Sequence, residues 1–299
     1  MAEMPDGYPH PHGGPFLFSS DLHGREDRYG KLISLVRSER PEAVFLGGDL
    51  LPSGSLLFAK SGPGGENFLE EFLLPRLKSL RLDLGESYPR IFLILGNDDP
   101  PSQETVLTRW EKEGLWQYLH GRKLSLGPYA VYGYACVPPT PFVLKDWERY
   151  DVSRFVDPGC VPPEEGWFSR EVAEEDKGFP TIQEDLGKLA GNDVLENAIF
   201  LFHSPPYRTV LDRAALDGRQ VDGAPLDVHV GSIAIRRFIE ARQPRVTLHG
   251  HVHESPRLTG SWRETIGRSH CFSAAHDGPE LAVVSFDPAH PARAIRKLL

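Results

Sequence analysis

The sequence predicts an α/β fold built on a parallel sheet. Short, unbroken apolar runs of strand length recur at residues 16–20, 43–46, 90–95 and 197–202. Segments with apolar residues at helical spacing separate them. Strands buried on both faces read as continuous apolar runs, and their alternation with helices is the pattern of right-handed crossovers. Each run also closes on a residue able to ligate a cation or move a proton. Open α/β sheets present ligand groups at the carboxyl ends of their strands.

Phe16-Leu17-Phe18-Ser19-Ser20 reads as the first buried strand, and it ends in Asp21-Leu22-His23-Gly24. Residues 25–40 follow with Tyr29, Leu32, Ile33 and Val36 on one helical face, and Pro41 stops them. Ala43-Val44-Phe45-Leu46 runs into Gly47-Gly48-Asp49. A loop rich in Gly, Ser and Pro spans residues 52–65. Phe68, Leu69, Phe72 and Leu73 then open an amphipathic helix that Pro75 must kink or restart. The third strand, residues 90–95, closes on Gly96-Asn97-Asp98-Asp99-Pro100. A helix is expected over 103–113 and a strand over 129–134.

Residues 136–197 differ in texture. They are rich in charge and in aromatics (Phe142, Trp147, Tyr150, Phe155, Trp167, Phe168), with one helix expected over 181–190. The stretch is too long for an ordinary connection. Two readings stand: an insertion that caps a site and stacks a nucleobase, or an excursion packed on the sheet's flank. Residues 197–202 form the next strand and end in His203-Ser204-Pro205-Pro206-Tyr207-Arg208. A helix over 232–242 leads to a strand at 245–248 and then to His249-Gly250-His251-Val252-His253. Alternation along an extended backbone would turn His251 and His253 to one side. Residues 271–273 and 281–286 read as antiparallel strands with turns at Asp277-Gly278 and Asp287-Pro288.

The chain has 299 residues, 40% hydrophobic and 25% charged, a globular profile in which we expect one domain over 15–299 after a polar tail at 1–14. His10 and His12 fall in that tail. The net charge of −9 argues against a sequence-independent nucleic-acid binder or an anionic-membrane binder, because both need a cationic face. It leaves a phosphate substrate open, since bound cations can locally outweigh it. Three cysteines, Cys136, Cys160 and Cys271, read as free thiols of a reducing compartment. The absence of an apolar leader or a membrane-length run completes the expectation of a cytoplasmic protein.

Five strand ends, expected in one sheet, thus supply Asp21 with His23, Asp49, Asn97, His203, and His251 with His253. Every donor is nitrogen or oxygen and none is a thiol. In order, these blocks resemble the signature of the calcineurin-like metallophosphoesterase superfamily: Asp-x-His, Gly-Asp, Gly-Asn-His-Asp/Glu, His, Gly-His-x-His. The resemblance spans about residues 16–255. A weaker likeness, resting on His203-Ser204-Pro205-Pro206 and the stretch 249–254, is to the branch typified by brain phosphodiesterases of the 239 class.

The resemblance implies a two-sheet β-sandwich flanked by helices, in four layers, with the C-terminal antiparallel strands in the second sheet. It implies two divalent transition metal ions (Mn, Fe, Zn or Co) bridged by Asp49. Asp21, His23 and His253 would complete one site, and Asn97, His203 and His251 the other. Two such ions can clamp a phosphoryl group and generate a bridging hydroxide nucleophile. Its expected substrate is a small phosphoester, nucleotide-like, with neither membrane nor nucleic acid as partner.

One position departs from the signature: Asp98 stands where the family usually has a histidine. Two dications against Asp21, Asp49 and a hydroxide leave a formal charge of about plus one, which an ionised Asp98 would cancel. A dianionic monoester would then be disfavoured relative to a phosphodiester. Alternatively Asp98 is held protonated and acts as general acid, or it turns away and caps the next helix. Asn97 is a further catalytic candidate, Arg208 and Arg25 are candidates of similar standing for contact with the phosphate, and His249 is a supporting or structural residue. The rival readings are a metal-binding scaffold with weak catalysis and a nuclease.

Overall fold

The computed structural model describes residues 14–52, 68–171 and 178–299. Residues 1–13 of the expected tail and 53–65 of the expected Gly/Ser/Pro loop lie outside the described residues. The apolar runs build two sheets, not one. β1 (Phe16–Ser19), β2 (Ala43–Gly47) and β3 (Arg90–Ile94) lie parallel, with the short β4 (Gln117–Tyr118) continuing them. β5 (Lys123–Leu126) and β6 (Tyr129–Tyr134) form an antiparallel pair that opens the second sheet. β7 (Ala198–Phe202) joins β6 in parallel. A two-stranded ribbon, β8 (Gln220–Val221) and β9 (Ala224–Pro225), precedes β10 (Val246–His249), which is parallel to β7. β11 (Arg263–Ile266) and β12 (Ser269–Ser273) finish the second sheet, and β13 (Ala282–Phe286) and β14 (Ile295–Leu298) return to the first. Among the described residues the orders are β14-β13-β1-β2-β3-β4 and β11-β12-β10-β7-β6-β5.

Two expectations are corrected here. The five site-bearing strand ends come from both sheets, three from the first and two from the second. Residues 271–273 and 282–286 do not pair with each other: β12 runs parallel to β10, whereas β13 is antiparallel to β1. Each sheet is therefore mixed, the first antiparallel only on its β13–β14 side and the second at both edges, and both sheets take C-terminal strands. The edge strands β5, β11 and β14 escape a search for apolar runs because they are short, half-exposed and interrupted by charged residues.

The sheets pack face to face through aromatic side chains. Phe16 meets Tyr129 edge-on at 6.1 Å, and Phe272 meets Phe286 at 5.7 Å. Such tilted pairs add to the area they bury. Helices α1 (Glu26–Glu39) and α2 (Leu74–Leu84) cover the first sheet, with Leu32, Val36, Leu77 and Leu80 closing on Val44 and Ile91. Pro75 sits in the first turn of α2, after a wide π-type turn at Phe68–Leu73; the helix restarts where proline has no N–H to offer. α3 (Gln103–Glu111) follows β3. α4 (Ile182–Ala190) starts at a capping box of Thr181 and Glu184. It packs on α5 (Ile233–Arg242), and Phe238 of α5 meets Phe200 of the second sheet at 5.0 Å. The short α6 (Ser255–Thr259) follows the histidine stretch. The result is two mixed sheets flanked by helices.

The stretch from 136 to 197 is tied to this frame at several points. Trp147 is buried, and its Nε1–H donates to the Asp99 carbonyl at 2.8 Å. Asp151 accepts from Ser232 Oγ and from the first amides of α5. Lys145 and Glu148 form a buried ion pair at 2.5 Å, with Thr140 donating to the same carboxylate. Trp147 and Tyr150 are thus packing residues, whereas Phe142, Phe155 and Trp167 stand exposed. Trp147→Ala should lower the unfolding free energy by about 3–5 kcal/mol, the usual cost of truncating a buried aromatic. Urea denaturation checks this; a loss below ~1 kcal/mol would contradict the anchoring role of the indole.

Candidate metal centre

Three of the strand ends that face the site, those of β1, β2 and β10, turn through left-handed residues. Asp21, His23, Asp49 and His251 all have positive φ, at 56°, 47°, 50° and 72°. That region is costly for residues other than glycine, and it persists only where surrounding bonds over-determine it. Those bonds are present. Asp21 N, His23 N and Gly24 N donate to the carbonyls of Gly48, Asp49 and Leu50 at 3.0, 2.8 and 2.9 Å, which zips the loop after β1 to the loop after β2. The Asp99 carboxylate accepts from the amides of Leu50, Leu51 and Gly96, buckling the loop after β2 to the loop after β3. Gly250 N donates to the His203 carbonyl at 2.9 Å, tying the ends of β10 and β7, and His251 N donates to Asp21 Oδ1 at 3.0 Å, joining the second sheet to the first. Arg28, buried on α1, donates to the Asp21 carbonyl at 2.7 Å from behind.

The donor atoms gather in two groups. Asp21, His23, Asp49 and His253 each bring a ligand atom within 4.8 Å of the others, and so do Asp49, His203 and His251. Asp49 belongs to both. In the first group His253 Nε2 lies 3.2 Å from Asp21 Oδ1 and 3.2 Å from His23 Nε2. In the second, His203 Nε2 lies 3.3 Å from Asp49 Oδ2 and 3.0 Å from Asn97 Oδ1. Strand alternation does not converge His251 with His253: both lie past the end of β10, in a turn that sends them to different groups. The glycines make the approach possible. A Cβ on Gly96 would stand 2.3 Å from Asp49 Oδ1, and one on Gly48 would stand 2.6 Å from His203 Nδ1.

The electrostatics call for positive charge at this point. His203 Nδ1 donates to the Gly47 carbonyl at 2.8 Å, which leaves Nε2 facing two oxygen acceptors. Only a proton or a cation reconciles those lone pairs. Burial opposes charging His203, yet the Asp49 carboxylate beside it pushes the imidazole up to about 9. Burial likewise opposes ionising Asp21 and Asp49, but the neighbouring histidines hold both below the usual carboxylate range. Desolvation in the pocket and the neighbouring His203 drive the half-buried His251 down to about 3. The donor set is mixed nitrogen and oxygen without thiolate, suited to Mn, Fe, Zn or Co. The residues fit a pair of such ions.

The remaining candidates fall outside these groups. Asp98 places Oδ2 3.4 Å from His23 Nδ1, and its amide donates to Asp49 Oδ1 at 2.8 Å. It does not cap α3, whose N-cap is Ser102. Arg208 is exposed, with its guanidinium over the Tyr207 ring, and Arg25 pairs with Asp27. His249 is buried away from the donors, between the Ser204 carbonyl and Thr247 Oγ1. Asp99, at the Asp/Glu position of the signature, organises the loops together with Arg28 and Trp147, which carry no ligand signal in the sequence. Burial and the Asp49 charge push Asp99 up to about 7, against its three amide donors.

A family model for calcineurin-like phosphoesterases matches residues 14–255. The chain belongs to the calcineurin-like phosphoesterase family. Comparison with curated protein sequences gives no match. Among solved structures, the TT1561 protein of Thermus thermophilus aligns with a TM-score of 0.53 at 15% identity, covering 95% of this chain and 98% of that one. Another solved structure aligns at TM-score 0.55 and 16% identity, with the same coverage. A dimetal phosphatase from Danio rerio aligns at TM-score 0.49 and 12% identity, covering 95% of each chain. At these identities the two likenesses with TM-scores of 0.53 and 0.55 speak for the fold alone. No helix among the described residues is long and apolar enough to cross a membrane.

Burial drives the His249 imidazole of this phosphoesterase down to about 4. The unfolded chain binds that proton near pH 6.5, so the fold's advantage is complete above 6.5 and falls as pH drops toward 4. The loss approaches about 3 kcal/mol. Urea denaturation of chelated His249→Gln protein should therefore show a stability deficit against wild type that shrinks between pH 7 and 4.5. A deficit constant with pH would contradict the buried neutral imidazole.

Proposed function

We propose that this phosphoesterase is a binuclear-metal enzyme that hydrolyses small phosphodiesters in preference to monoesters. The observation that carries the reading is the membership of Asp49 in both donor groups, which suits one carboxylate shared by two cations. Asp21, His23 and His253 would hold one ion, and Asn97, His203 and His251 the other. Bound, the pair would supply Lewis acidity toward a phosphoryl oxygen and an acidified water. The chain's own part is preorganisation: Gly47 fixes the His203 tautomer, and Ser20 Oγ donates to Asp21 Oδ2 at 2.5 Å while His251 N donates to Oδ1.

The diester preference rests on charge. Asp98 lies beside His23 and in contact with the loop bearing Asp49, where its carboxylate opposes a dianionic substrate more than a monoanionic one. A nucleotide-like substrate is favoured by Trp167 and Phe142, which stand exposed on the segment anchored through Trp147 to the Asp99 carbonyl. In this reading residues 136–197 form a cap segment. The three free thiols, two of them buried, suit a reducing, cytoplasmic setting.

Chelated protein should hydrolyse a chromogenic phosphodiester when Mn²⁺ is restored, and Asp49→Ala should abolish that rate. Inactivity with Mn²⁺, Fe²⁺, Zn²⁺ and Co²⁺, or undiminished turnover by Asp49→Ala, would defeat the enzyme reading. At saturating Mn²⁺, Asp98→His should shift the monoester-to-diester ratio toward monoesters by roughly tenfold, one unit charge at short range in a partly solvated site. An unchanged ratio would remove the charge argument. Single-stranded and duplex nucleic acid in the same assay should remain intact.

A further inference from the structure

We propose that Asp98 is a positioning residue for the metal-facing imidazole of His23. It holds the ring by Nδ1 and leaves Nε2 bare toward the donor group. The inference rests on the two-metal reading and assigns a role that the usual histidine at this position could not fill in the same way.

The His23 ring has two unlike sides. Nδ1 lies 3.4 Å from Asp98 Oδ2. Nε2 lies 3.2 Å from His253 Nε2, which in turn lies 3.2 Å from Asp21 Oδ1. An imidazole ligates through an unprotonated nitrogen, and the proton resides on the other nitrogen when an acceptor faces it. Asp98 supplies that acceptor. The second donor group solves the same problem with backbone, since His203 Nδ1 meets the Gly47 carbonyl at 2.8 Å. His203 is also sealed in the core, whereas the His23 side chain is 19% exposed and its backbone sits at φ 47°. A ring at the rim, on a strained residue, gains most from an external hold.

Asp98 is itself tied in place by the bridging residue. Its amide donates to Asp49 Oδ1 at 2.8 Å while its side chain reaches His23. One residue thus links the ligand shared by both groups to a ligand of only one. The effect of losing its carboxylate should therefore be confined to the group of Asp21, His23 and His253.

The test is titration of chelated protein with Mn²⁺ by calorimetry, with turnover of a chromogenic diester followed alongside. Wild type should take up two ions. Asp98→Ala should still take up two, one of them 10–100-fold more weakly. Asp98→Asn keeps an oxygen acceptor and should fall between. The Mn²⁺ concentration that gives half-maximal turnover should rise by the same factor. Two unchanged affinities in Asp98→Ala would overturn the positioning role while leaving the two-metal reading intact. Wild-type protein that takes up no Mn²⁺ would overturn both. The Asp98 side chain is about one-third exposed, so Asp98→Ala should melt close to wild type, and Asp98→Asn carries the test if it does not.

Discussion

Asp49 is the constraint on which the rest depends. Its carboxylate is buried, sits on a left-handed residue and receives the amide of Asp98. It reaches the donor atoms of both groups. A desolvated carboxylate facing bare imidazole nitrogens is stable only with positive charge between them. Protons can supply that charge, as the raised His203 shows, but the convergence of seven ligand-type side chains from two sheets goes beyond what protons need.

The fold delivers those side chains by placing two parallel centres face to face. β1, β2 and β3 bring Asp21, His23, Asp49 and Asn97 to one edge, and β7 and β10 bring His203, His251 and His253 to the same edge from the opposite sheet. The cost is local strain at four ligand-type residues in three turns. Backbone zippers between neighbouring loops offset it, together with the Asp99 buckle and the Arg28 strut. A pair of sheets packed through large aromatics is stiff, so ligand geometry is set before any cation arrives.

Much of this was legible in the sequence. Buried parallel strands advertise themselves as apolar runs, and each run pointed to its own terminal ligand. Assignment to two sheets was not legible, because strands such as residues 90–94 and 198–202 have the same texture whichever sheet they join. Edge strands such as β11 and β14 have adjacent charged residues and no apolar run, so nothing in their sequence announces them. The split between His251 and His253 depends on a left-handed residue after the strand, which no propensity of Val252 or His253 announces. Asp98 reads as a lost histidine in the sequence. Only the neighbourhood of His23 turns it into a candidate for holding a ligand in place.

Within the calcineurin-like phosphoesterase family, the chain gathers two groups of ligand-type side chains that share Asp49, and Asp98 stands beside them. The central claim is that Asp49 lies between two cations. Anomalous diffraction from crystals soaked in Mn²⁺ tests it most directly. The account predicts two peaks of comparable height, one on either side of the Asp49 carboxylate, the first bounded by Asp21, His23 and His253 and the second by Asn97, His203 and His251. A single peak, or peaks that do not share Asp49, would contradict it.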